Sequence, residues 1–391
     1  MHNHAIAGIF TDTFDQYIAA YGRQPLEHYK VAHCISSCRT SALGGHIYTC
    51  DTCGNSVPLY NSCSNRHCPQ CQTLGRRRWI EARMDELLPV PYFHAVFTIP
   101  HELNPFALRN KKVFYAIMFR GVNETLRTLA QNSKWLGASI GVIAVLHTWG
   151  QNLMDHPHIH CIVPAGGLSR DTDAWIPCKH SFLFPFAAMK KLFMAKVLDY
   201  LRKAVDDGDI TMAGLLECYT DTKAFRAFLS SLYKKKWVIY VKQPFAGPSA
   251  VIEYLGNYTH RTAISERRIT GVSENTVSFR YKDYADEAKM KVLTLEKIEF
   301  IRRFLLHVLP SGFMRIRHYG FLSNARRAQG LKQCAQIFAS LREKKKEKKP
   351  WYVLLKEHYG IDPRLCKKCG NGIMRRGYFI EPVLRTVVRT T

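Results

Sequence analysis

Apolar residues recur every three to four positions along NKKVFYAIMFRGVNETLRTLAQ (110–131) and FAAMKKLFMAKVLDYLRKAV (186–205), which predicts two amphipathic helices. TLEKIEFIRRFLLHVL (294–309) follows the same period. Other stretches follow a period of two or run apolar and β-prone: YFHAVFTIP (92–100), ASIGVIAVLHTWGQNL (138–153) and WVIYVKQPF (237–245). A short Met-Asp turn after the second of these leads into HPHIHCIVPAGGLS, which predicts a hairpin with a glycine-rich exit. GPSAVIEYLGNYTHR (247–261) opens with a proline at an allowed helix start and predicts a helix. RTAISERRITGVSENTVSFRYKDY (261–284) alternates as short strands.

Strands and helices are therefore mixed through the centre of the chain, and the expected fold class is α+β. An antiparallel sheet with helices on a face is its simplest form. REKKKEKKPW (342–351) is a charge run expected to be a solvated linker, and no internal repeat is present beyond the cysteine pairs.

Within HPHIH, His156, His158 and His160 occupy every second position. Side chains alternate across a strand, so all three rings point to one face; a helix would scatter them. Neighbouring imidazoles on one face can share a metal ion. Three separately hydrogen-bonded rings on an edge strand are the plainer alternative.

Charge narrows the class. The 391 residues carry 56 Lys plus Arg against 31 Asp plus Glu, a net charge of +25, which points to a polyanionic partner and to nucleic acid first. A hydrophobic content of 47% excludes a disordered chain. No long uncharged apolar run and no signal-like N-terminus is present, so no membrane span and a cytoplasmic location are expected.

Thirteen cysteines in clusters, without an export signal, suggest metal rather than disulfides. Cys50/Cys53 and Cys68/Cys71 form two Cys-x-x-Cys pairs at a spacing typical of structural zinc. Cys34/Cys38 and Cys63/His67 add two more pairs, enough for two ions. The order of pairs permits a cross-brace, with Cys34, Cys38, Cys63 and His67 on one zinc and Cys50, Cys53, Cys68 and Cys71 on the other; the spacing does not exclude sequential pairing. His33 and His46 are substitute ligands. Arg76, Arg77, Arg78 and Arg83 follow on a predicted helix with Trp79, a surface suited to gripping phosphates or simply to facing water. Cys366 and Cys369 form a last pair with no evident partner.

Tyr254 and Tyr258 stand one turn apart on their predicted helix. Most such pairs pack into cores. Here they follow a metal-ready histidine strand in a basic chain led by cysteine pairs, and the combination resembles the HUH-type rolling-circle transposases of insertion-sequence family ninety-one, two-tyrosine class. HUH denotes His–hydrophobic–His, matched by His158, Ile159 and His160. EYLGNYTHRTAIS resembles that family's tyrosine motif, NRHCPQC its zinc-binding region and LPSGFMRIRHYGFLSN its tail segment. The resemblance spans about residues 15–370.

The resemblance implies three domains: an N-terminal zinc-binding, DNA-binding domain (1–86), an HUH nuclease domain (87–290) and a helical, basic C-terminal region with a cysteine pair (291–391). It implies cleavage of single-stranded DNA by tyrosine attack, giving a 5′-phosphotyrosine and a free 3′-hydroxyl, followed by strand transfer. Tyr254 and Tyr258 would be the nucleophiles. His158 and His160 would hold Mg²⁺ or Mn²⁺, with Gln151 preferred over His156 and His147 as third ligand, and the cysteines would hold structural Zn²⁺. The partners implied are single-stranded transposon ends and target DNA, in a bacterial cell at the nucleoid. Trp79, Trp135 and Trp149 are candidate base-stacking surfaces.

Three other readings fit parts of the sequence. A replication initiator or relaxase would share the HUH site but is not expected to carry the cysteine block. A non-catalytic zinc-finger DNA-binding protein leaves HPHIH and the tyrosines idle. A His-x-His metallohydrolase lacks downstream Asp and His in CIVPAGG.

Overall fold

The computed structural model describes residues 4–179, 183–242, 250, 256, 262–284, 286–338, 349–360 and 362–383. The described chain is α+β, with antiparallel sheets and helices, as expected. It divides into two compact units, each discontinuous in sequence: residues 80–259 with 309–344, and residues 1–79 with 260–308 and 345–391.

The strands are β1 (Gly45–Cys50), β2 (Ser56–Tyr60), β3 (Tyr92–Thr98), β4 (Gly141–Trp149), β5 (Asp155–Pro164), β6 (Gly166–Leu168), β7 (Trp175–Pro177), β8 (Val238–Lys242), β9 (Ile269–Val272), β10 (Thr276–Asp283), β11 (Lys289–Glu296), β12 (Ile316–Gly320) and β13 (Met374–Ile380). The 80–259/309–344 unit is built on an antiparallel sheet of order β12-β4-β5-β3-β8. Its register sorts residues onto two faces. On one face lie Phe93, Ala95 and Phe97 of β3, Ile159, Cys161 and Val163 of β5, and Val142, Ala144 and Leu146 of β4. These pack with Phe114, Met118 and Val122 of the helix Lys111–Gln131 and with Met189, Phe193 and Val197 of the helix Phe186–Asp206. Burying this apolar face is what fixes the sheet's orientation. The two helices cross closely at Gly121, where a Cβ would stand 2.8 Å from Val197 Cγ2. The opposite face presents His94, Thr98, His147, His158 and His160.

In the other unit the helix Ala5–Tyr21 buries Ile6, Ile9, Phe10, Thr13 and Tyr17 at helical spacing. Phe10 meets Phe304 of the helix Lys297–Leu306 edge-on, ring centres 5.2 Å apart. A sheet of order β11-β10-β9 and a second sheet, β13-β1-β2, belong to the same unit.

Three sequence expectations change here. The strands of 261–284 form their own sheet with β11 and do not extend the histidine-bearing one. The region 291–391 is not purely helical: β12 pairs with β4, residue Ile316 opposite Val145, so it supplies an edge of the histidine-bearing sheet. Strand pairing over such sequence separation leaves no periodic signal that names its partner. The β4–β5 turn spans Gly150–Met154 rather than Met154-Asp155, held by Gly150 N–H donating to the Met154 carbonyl at 2.9 Å.

Candidate metal centres

β5 places His158 and His160 on one face, and β4 sets His147 directly opposite His158. One ring nitrogen of each of His147, His158 and His160 lies within 4.8 Å of the others. Exposure falls along the strand: His156 is exposed, His158 half-buried and His160 buried. The Nδ1–H of His158 donates to the backbone carbonyl of His156 at 2.6 Å, which leaves Nε2 as its lone-pair nitrogen. Burial, with the neighbouring His156 and His94, pushes His158 down to about 4, so its ring is neutral at pH 7. A neutral imidazole with its other nitrogen tied to a carbonyl is how proteins present a histidine to a metal.

One residue passed unnoticed in the sequence. His94 on β3 stacks on His160, ring centres 5.1 Å apart and nearly parallel, and burial followed by the charge of Lys242 pushes it down to about 4. YFHAVFTIP reads as an ordinary strand, and only the β3–β5 register brings its histidine beside the HUH pair. Trp149 stacks on His147, ring centres 4.8 Å apart, while Trp135 packs against the core. Gln151 sits in the turn after β4.

Tyr254 and Tyr258 lie outside the described residues. Gly256 between them is described: it is helical and buried, and a Cβ there would stand 2.1 Å from Ile80 Cγ1.

The cysteines gather in two groups. Cys38, Cys63, Cys68 and Cys71 form the first, with Cys38–Cys71 and Cys63–Cys71 sulfur distances of 3.5 and 3.6 Å. A tetrahedron of sulfurs about 2.3 Å from a zinc ion has edges of about 3.8 Å, so the set matches a zinc site closely. Cys34 lies beside Cys63, whose hydrogen bond is the main influence pushing Cys34 down to about 6. Cys50 and Cys53 stand with Cys366 and Cys369 instead of with Cys68 and Cys71. Neither the cross-brace nor the sequential pairing that the spacing allows is formed, because β13 returns from far along the chain to pair with β1.

The helix Gln72–Met84 carries Arg76 and Arg77 half-buried and Arg78 exposed. Arg83 is turned inward, paired with Glu86 at 2.7 Å and its side chain 11% exposed. No described helix is long and apolar enough to cross a membrane.

Two family models match the chain. One, described as "Putative transposase", covers residues 141–329; the other, "Transposase zinc-binding domain", covers residues 9–99. The first spans the histidine strands and the second spans the first cysteine group. These define a DNA-transposing enzyme with a zinc-binding domain at its N-terminal end. Among curated relatives, "Putative transposase y4qJ" of Sinorhizobium fredii is 45% identical over 94% of both chains. "Transposase for insertion sequence element IS801" of Pseudomonas savastanoi pv. phaseolicola is 28% identical over 85% of this chain and 80% of its own. No solved structure matches the chain. The chain belongs to the transposases of insertion-sequence family ninety-one. Structural zinc and DNA as partner follow for it at that level.

Proposed function

We propose that this transposase cleaves and rejoins single-stranded DNA by tyrosine attack at the histidine face of its five-stranded sheet. The observation that carries this reading is the convergence of His147, His158 and His160 on one face. These residues would hold a divalent ion, with His147 taking the place expected for Gln151, since it shares the strand register and Gln151 lies in the turn beyond. Of Mg²⁺ and Mn²⁺, an all-imidazole set favours Mn²⁺. When bound, the ion would offset charge building on the scissile phosphate.

The rest falls to the chain. Tyr254 or Tyr258 gives up its phenolic proton, and its oxygen bonds to phosphorus while the bond to the 3′-oxygen breaks. The departing 3′-oxygen takes a proton. One phosphoester replaces another, so rejoining needs no ATP; a second tyrosine permits a second cleavage in the same site. Segment 1–86 would bind DNA through its zinc module and through Arg76, Arg77 and Arg78, and residues 87–290 would supply the nuclease sheet, completed by β12. Rolling-circle transfer of single-stranded ends to a target is the process this chemistry serves.

The test is incubation with labelled single-stranded DNA from the element's ends, with and without Mg²⁺ or Mn²⁺, followed by denaturing electrophoresis. A metal-dependent covalent adduct is expected, absent when Tyr254→Phe and Tyr258→Phe are combined. An adduct formed by that double variant would place the nucleophile elsewhere.

A further inference from the structure

Cys366 and Cys369 lie outside both matched family segments and have no partner readable from spacing. In the fold, Cys369 Sγ lies 3.7 Å from Cys50 Sγ and Cys366 Sγ lies 3.7 Å from Cys53 Sγ. We propose that these four cysteines bind a second structural zinc ion, which fastens the segment 362–383 to β1 and makes the far end of the chain part of the zinc module.

Both sulfur separations equal, within about 0.1 Å, the edge of a zinc–thiolate tetrahedron, and both are far too long for the ~2.05 Å of a disulfide. The two pairs have the same local build. Cys50-Asp51-Thr52-Cys53-Gly54 and Cys366-Lys367-Lys368-Cys369-Gly370 each end on a glycine with φ of +67° and +74°. In each, that glycine's N–H donates to the carbonyl of the first cysteine, at 3.1 and 2.9 Å. Such a turn aims two thiolates at one point, and the left-handed glycine is what lets it close. The two turns face each other.

The backbone around them is shaped for the sulfurs. A Cβ on Gly372 would stand 2.3 Å from Cys50 Sγ, so only glycine lets that thiolate reach the site. The Gly372 N–H donates to Cys369 Sγ at 3.3 Å, as expected of a backbone donor steadying a thiolate. Asp51 and Ile373 exchange two bonds, Asp51 N–H to the Ile373 carbonyl at 3.1 Å and Ile373 N–H to Asp51 Oδ1 at 2.8 Å. Cys50 and Cys366 are 3% and 1% exposed, so the four-sulfur set is closed to solvent on that side, as structural zinc sites are. Loading replaces four thiol protons by one Zn²⁺, with no change of oxidation state. The result closes a loop of 313 to 319 residues and holds β13 at the edge of β1.

The test uses the full chain without DNA and leaves the histidines untouched, so a change in zinc content is independent of the chemistry proposed there. Elemental analysis should find one zinc ion fewer per chain after Cys366→Ser with Cys369→Ser than before. On the unaltered chain, timed alkylation with mass spectrometry should show Cys50, Cys53, Cys366 and Cys369 protected together. Chelator should expose them together, with the exposed Cys218 as the fast reference. Alkylation of Cys366 and Cys369 at the Cys218 rate before chelation would overturn the assignment, as would a double variant that holds as much zinc as the unaltered chain. The alkylation arm decides the matter should the double variant fail to fold.

Discussion

Nε2 of His94 and Nδ1 of His160 are 2.9 Å apart, one hydrogen bond between two buried rings on adjacent strands. That contact fixes the plane of His160 and leaves its Nε2 as the atom that can face a metal. In the metal site proposed above, His94 would therefore be a positioning residue.

His94→Leu is expected to weaken Mn²⁺ binding by about 10- to 100-fold, the usual cost of removing a residue that orients a metal-bound histidine. His94→Gln, which can restore one hydrogen bond, should recover part of it. Calorimetric titration of Mn²⁺ into both variants checks this, with thermal unfolding as the control for fold. Equal affinity in both variants and the parent protein would remove His94 from the site.

Gly256 against Ile80 gives a packing prediction. Gly256→Ala forces a methyl group into the Ile80 side chain and should cost about 1–3 kcal/mol. Combining it with Ile80→Ala should restore room and cost less than the two single changes added together. Because Gly256 sits between Tyr254 and Tyr258 in sequence, adduct formation should fall in Gly256→Ala more than DNA binding does. Denaturant melts and adduct assays on the three variants read both effects.

Zinc content separates ligands from neighbours at the first cysteine group. Cys68→Ser should lose one zinc per chain and destabilise the module, since metal binding supplies much of a small zinc module's folding energy. Cys34→Ser and His67→Ala should keep the zinc, because Cys68 and Cys71 complete the set with Cys38 and Cys63. Elemental analysis of the three variants is sufficient.

Acid should loosen the pairing of the two long helices. Burial raises Glu124, but hydrogen bonds from Tyr200, Lys196 and Arg120 outweigh it and hold the carboxyl at about 2, below its ordinary 4.5. A depressed carboxylate contributes fully above about 4.5 and loses its contribution as pH falls toward 2. With a side chain 19% exposed, Glu124→Gln should cost about 1–2 kcal/mol at neutral pH. The difference from the parent should shrink on acidification through that window. Melting temperatures measured from pH 6 down to about 2.5 test the sign: a gap that widens in acid would contradict it.

The sequence by itself determined the local structure and the chemistry it bears. Period-two alternation put His158 and His160 on one face of a strand, helical spacing marked the two long helices, and Cys-x-x-Cys spacing marked the metal-binding turns. These are short-range patterns, because strand and helix geometry act over a few residues. The sequence did not reveal the helix Ala5–Tyr21, although its apolar residues keep the period. Tertiary structure alone decided the partners. His94 joins His160, His147 stands opposite His158, Cys50 and Cys53 meet Cys366 and Cys369, and β12 completes the sheet from beyond residue 309. Each of these pairings is chosen by which apolar faces must be buried together and which backbone edges must be paired, and that balance is struck across the whole chain.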